Sequence, residues 1–153
     1  AIDAIQTTSV STKSSSIHDC QVVRNVLRSR GYSSTFIAGL AGNSWQVSRC
    51  DASAKSGGGH FGLLQWSGNR IDGLAGLRHF ARGKKLSSTS PIVQAYFIDW
   101  QLAHYYPNIY RNRGKNYSAR FWARHIYFEY LRGWNNSHAN RSAYYADWFR
   151  SVL

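Results

Sequence analysis

The sequence predicts a mainly α domain, formally α+β, with five or six helices and one small glycine-rich β-element. Three observations lead there. From Ile17 onward, apolar residues recur at helical spacing over most of the chain. Serine or proline stands where several of these stretches begin, and glycine where several end. Only between Asp51 and Gly68 does the helical period fail, and there "SGGGHFGLLQWSG" carries the glycine boundaries of a short hairpin.

Residues 1–16 are rich in Ser, Thr and Ala and have no periodic apolar face, so they read as a flexible leader or linker. Residues 17–153 then form one domain without internal repeats. Val22, Val23, Val26 and Leu27 mark one face of a first helix that Gly31 ends. Ser34 is the expected N-cap of the second, which points Phe36, Ile37, Leu40 and Ala41 inward and runs toward Gln46. After the glycine-rich stretch, a helix over residues 71–80 places Leu74 and Leu77 on the core side, with Asp72 at its start. Ser90 and Pro91 read as the cap and first residue of a helix through Tyr105, with Pro107 ending that segment. Further helices are expected over residues 118–131, stopped by Gly133, and over residues 141–153.

At 153 residues and 43% apolar content the chain can bury a core of its own. No apolar run approaches the eighteen residues of a membrane span. Opening on Ala1 and lacking methionine, it is expected to be a mature or excised segment. Nineteen Lys and Arg against seven acids leave a formal charge of +12, a field that attracts nucleic acid, anionic lipid or acidic wall polymers. The two cysteines, Cys20 and Cys50, lack CxxC spacing and are too few for a zinc site. A bridge between them would contribute roughly 3–4 kcal/mol and implies an oxidising compartment; two buried thiols are the alternative.

The residues from Gly42 to Trp66, "GNSWQVSRCDASAKSGGGHFGLLQW", carry the most specific pattern. A helix ending in G-N-S-W-Q-x-S, followed about fifteen residues later by G-L-L-Q-W, resembles the lysozyme superfamily, and in particular its phage tail-type lysozyme domain. The shared features fall on Gly42, Asn43, Ser48, Gly62, Leu63, Gln65, Trp66 and Arg70. Weaker likenesses follow in order at "QAYFIDWQL", "FEYLRG" and "RSAYYADWF". The resemblance implies a lysozyme-like helical fold with a small hairpin, and cleavage of peptidoglycan β-1,4 bonds. Such chemistry needs a protonated carboxyl beside the leaving oxygen, its pKa raised by apolar surroundings. The family's general acid is the Glu directly before the Ser of its E-S pair, and here that position is Val47. The expectation is therefore a peptidoglycan-targeting domain of muramidase ancestry that is inactive or impaired; the alternative is a pseudoenzyme binding wall, protein partner or polyanion.

Asp51, four residues past Val47, is a weak substitute for the missing acid. Expected substrate contacts are Asn43, Gln65 and Trp66, followed by His60 and Arg70. Glu129 reads as structural, near Arg124, His125 or Arg132, and Asp99 as an arginine's partner. The six histidines show no metal-helix spacing, so neither metal nor cofactor is expected. Residues 105–134 interleave aromatics with Arg111, Arg113, Lys115, Arg120, Arg124 and Arg132, which suits single-stranded nucleic acid. Helical spacing favours instead a core of Phe121, Trp122, Ile126 and Phe128 under a solvated basic face. The partner expected first is thus peptidoglycan or another anionic wall glycan, met by a secreted, extracellular or periplasmic monomer.

Overall fold

The computed structural model describes residues 10–11 and 16–153. Within the expected leader lies strand β1 (Val10–Ser11), which pairs antiparallel with β2 (Lys55–Ser56), Val10 opposite Ser56 and Ser11 opposite Lys55. The rest of residues 1–15 lies outside the described residues. The helices are α1 (His18–Ser29), α2 (Ser34–Ser48), α3 (Leu74–Gly83), α4 (Pro91–Tyr105), α5 (Pro107–Arg111), α6 (Ala119–His125) and α7 (Asn136–Val152). A π-helical turn, Ile126–Tyr130, continues α6.

α2 is the axis of the fold. Twelve of its fifteen residues are buried, so the inward face expected at Phe36, Ile37, Leu40 and Ala41 extends almost all the way round. Small residues make this possible: a Cβ on Gly42 would stand 2.4 Å from the Ser142 carbonyl oxygen on α7, and one on Gly39 2.7 Å from the Ala123 nitrogen on α6. Two helix backbones therefore approach α2 on neighbouring flanks. Gln46 latches its end to α7, donating to the His138 carbonyl (3.0 Å) and the Ser142 hydroxyl (2.5 Å). On the other side α1 packs on α4. There Asp99, buried on α4, accepts hydrogen bonds from the Tyr32 hydroxyl (2.8 Å) and the Arg30 guanidinium (3.0 Å), the arginine partnership expected for it. Burial next to that carboxylate pushes the Tyr32 hydroxyl pKa far up.

Several boundaries differ from expectation, each for a local reason. Ser33, not Ser34, caps α2, its hydroxyl accepting from the Phe36 amide at 3.0 Å. α3 opens at Leu74 rather than residue 71, because the chain turns through Ser67–Gly73 contacts first: the Leu74 amide donates to the Ser67 carbonyl at 3.1 Å. α4 ends just before Pro107, as expected, and Pro107 also opens the short α5 as its first residue. The helix expected over residues 118–131 begins at Ala119 with Ser118 as its cap, and it loosens after His125. There the Leu131 amide reaches the Ile126 carbonyl five residues back, at 2.9 Å. α7 begins five residues early, at Asn136, because Asn135 caps it through the His138 amide. Ser90 and Pro91 open α4 and Tyr105 closes it, as the sequence predicts.

Candidate functional site

The glycine-rich stretch folds as two tight turns. Ser56 and His60 close the first, the Ser56 amide donating to the His60 carbonyl at 3.0 Å. Phe61 and Trp66 close the second by exchanging backbone hydrogen bonds of 2.8 Å each. Residues 61–66 then form a strap held from both sides. From α2, the Ser44 and Ser48 hydroxyls donate to the Leu63 carbonyl at 3.0 and 2.8 Å. From α4, Gln94 accepts from the Leu63 amide at 2.9 Å and donates to the Ala52 and Ser88 carbonyls. Gly62 sits at φ +87°, and a Cβ there would press on the Gln94 amide at 3.0 Å, so the strap needs glycine at this point.

The strap's C-terminal end forms one wall of a cleft of about 180 Å³. His60, Gln65 and Trp66 line it with Asp72, Gln101, Tyr106, Tyr130 and Leu131. Its floor is a buried polar network. The Gln101 oxygen accepts from the Trp66 indole (3.2 Å) and from the Tyr130 hydroxyl (2.5 Å), while its amide nitrogen donates to the Asp72 carbonyl (2.8 Å). Burial pushes the Tyr130 pKa well up, keeping the hydroxyl a donor. Gln65 is itself buried; its nitrogen donates to the Ala54 and Gly62 carbonyls, and its side-chain oxygen has no protein partner. The side-chain oxygen of Asn43, in the interior, is likewise buried and without a hydrogen-bond partner. His60 stands 3.2 Å from the Ser56 hydroxyl, and partial burial lowers its pKa.

The residues singled out from the sequence thus separate. His60, Gln65 and Trp66 share the cleft, although Trp66 is only 8% exposed and meets Phe97 edge to face at 5.5 Å rather than presenting a broad open surface. Arg70 is exposed beyond the lip, reaching it through an ion pair of 3.1 Å with Asp72. Asn43 lies in the interior, donating to the Gly39 and Ala123 carbonyls and so tying α2 to α6. Asp51 is also buried; it accepts from the Ser53 amide (2.9 Å) and hydroxyl (2.7 Å) and shapes the turn after α2. Val47 is 2% exposed and packs with Tyr127 and Ala139, flanked by Phe128 and Leu131. Leu131, which packs against the same cluster, also lines the cleft, whereas Val47 does not.

Asp72, Gln101, Tyr106 and Tyr130 belong to the cleft and were not anticipated. A signal for Gln101 exists: Gln94 and Gln101 stand seven residues apart on a largely apolar helix, and both are buried, as is Asp99 between them. Polar residues on the inner stripe of such a helix must be satisfied, and here they position the strap and the cleft floor. Cys20 and Cys50 form a disulfide with Cα atoms 5.5 Å apart, joining the first turn of α1 to the residue pair that follows α2.

A buried central helix, a glycine-rich strap clamped to its end and a polar cleft beyond define a lysozyme-like helical domain. The phage tail lysozyme family matches residues 20–151, and the chain belongs to that family. It is a lysozyme-like, peptidoglycan-targeting domain. No curated protein matches the chain. Among the described residues no helix is long and apolar enough to cross a membrane.

Proposed function

We infer that this domain binds peptidoglycan glycan strands in the cleft and has lost, wholly or largely, the muramidase reaction of its ancestry. The observation that carries the reading is Val47. By resemblance it occupies the general acid's place, and its surroundings of Tyr127, Ala139, Phe128 and Leu131 are the apolar setting that would hold a carboxyl protonated. Valine has no proton to give. The other acids among the described residues have different tasks or places. Asp19 accepts from the Ala52 amide, Asp99 and Asp147 pair with Arg30 and Arg120, and Asp51 shapes a turn. Glu129 is exposed and lines a separate depression with Phe121, Arg124, His125 and Phe128. Asp72 reaches the cleft, but from its exposed lip beside Arg70.

Glycan recognition then falls to Gln65, His60 and the Gln101 network, with Arg70 at the entrance. Asn43 supports the site from behind by holding α2 on α6. The disulfide supports a secreted, extracellular or periplasmic setting. The test is release of reducing ends from purified sacculi by the unmodified chain, Val47→Glu and Val47→Gln, alongside co-sedimentation. Expected are binding by all three and release only by Val47→Glu. Release by the unmodified chain would show that another residue supplies the proton and would overturn the reading.

A further inference from the structure

One stretch of surface away from the cleft is not explained by core packing. On α7, Arg141, Tyr144, Tyr145 and Trp148 recur at i, i+3, i+4 and i+7, opposite the buried face of Ala143, Ala146 and Phe149. Tyr144 is 69% exposed and Trp148 44%. The last turn of α2 extends the face. Trp45 lies 5.9 Å from the Trp148 ring, and the Arg49 guanidinium lies 5.4 Å from Trp45 and 5.9 Å from Tyr145. None of these residues lines the cleft. Asp147, on the same helix, is engaged by Arg120 at 2.8 Å, so the uncompensated charge of the face is that of Arg49 and Arg141.

We propose that this aromatic and arginine face is a second docking surface, for an anionic wall polymer whose sugar units carry phosphate or carboxylate groups. The proposal rests on the wall-targeting assignment and not on the loss of the acid. Flat indole and phenol rings match the C–H faces of sugar rings, and arginine matches phosphate or carboxylate by charge and fork geometry. The +12 charge of the chain is complementary to such a polymer. Trp, Tyr and Arg would also suit the headgroup layer of an anionic membrane, so vesicles form one arm of the test; the wall-targeting family of the chain selects the polymer as the occupant. Two sites on one rigid domain would hold it on a wall mesh more tightly than either alone.

The test compares the unmodified chain with Tyr144→Ser, Tyr144→Ala/Trp148→Ala and Arg49→Ala/Arg141→Ala. Tyr144→Ser guards against misfolding, since that side chain is mostly in solvent. Each is sedimented with intact sacculi, with sacculi stripped of phosphate polymer by acid extraction, with anionic phospholipid vesicles and with single-stranded DNA; a neutral peptidoglycan tetrasaccharide reports on the cleft. The double variants should bind intact sacculi roughly tenfold more weakly and Tyr144→Ser measurably so, with no such difference on stripped sacculi and unchanged tetrasaccharide binding. Failure of the tetrasaccharide to bind any protein would instead count against the cleft reading alone. Variants that hold intact sacculi like the parent overturn the proposal, as does an equal loss on stripped sacculi or a loss confined to vesicles or DNA.

Discussion

Tyr130 and Gln101, twenty-nine residues apart in the chain, meet at the cleft floor, where the tyrosine hydroxyl donates to the glutamine oxygen over 2.5 Å. The same oxygen receives the Trp66 indole hydrogen. One side chain therefore joins α4, the π-helical turn and the strap, and the cleft's shape depends on it. Gln101→Leu would leave two buried donors unpaired and should destabilise the domain by about 2–4 kcal/mol. Gln101→Glu keeps the acceptor and should retain the indole hydrogen bond. Urea unfolding followed by tryptophan fluorescence measures both; equal stability of parent and Gln101→Leu would show that the network is not structural.

Gly42→Ala should be among the more damaging single-methyl changes in the chain. Its Cβ would overlap the Ser142 carbonyl and the Ala146 nitrogen, both backbone atoms that cannot swing away. α7 must shift, at a cost of about 3 kcal/mol. Thermal melts check this, and Gly83→Ala, where a Cβ meets nothing within 4 Å, is the matched control.

Reduction of the Cys20–Cys50 bridge should lower stability by roughly 3–4 kcal/mol, because the chain between two cysteines 30 positions apart regains freedom in the unfolded state. The α1–α2 corner should loosen first. Urea midpoints with and without reductant, and for Cys20→Ala/Cys50→Ala, give the value, and hydrogen exchange locates the loosening.

His60 should titrate below its ordinary 6.5, since partial burial disfavours the imidazolium. With the folded pKa depressed, the unfolded chain binds the proton more readily. Stability from this group is present above pH 6.5 and declines as pH falls through the window down to the folded pKa. Histidine NMR titration should place His60 in that range, and His60→Gln should flatten the corresponding limb of the stability profile. A midpoint at or above 6.5 would contradict the geometry at the cleft mouth.

Helices with a cap and an apolar stripe were readable because both signals are local. α4 follows from Ser90, Pro91 and the apolar run after them. Boundaries governed by less local events were not. The widening after His125 depends on how Tyr127 and Tyr130 find interior places, and the early start of α7 depends on an asparagine cap within "NNSHAN", which has little apolar period. The π-helical turn matters most for the candidate site, since it brings Tyr130 to the cleft.

The amino-acid order alone determined the helical class, the glycine-rich strap, the cysteine pair, the basic charge and the motif that marks the family, because these are properties of neighbours along the chain or of composition. Tertiary packing alone decided which of the motif's residues line the cleft. Asn43, Val47 and Gln65 lie within twenty-three residues of one another, yet α6 claims the first, Tyr127 and Ala139 enclose the second, and only the third reaches the cleft. Helix spacing places a side chain on a face; what covers that face comes from elements eighty or more residues away, and no local pattern encodes it.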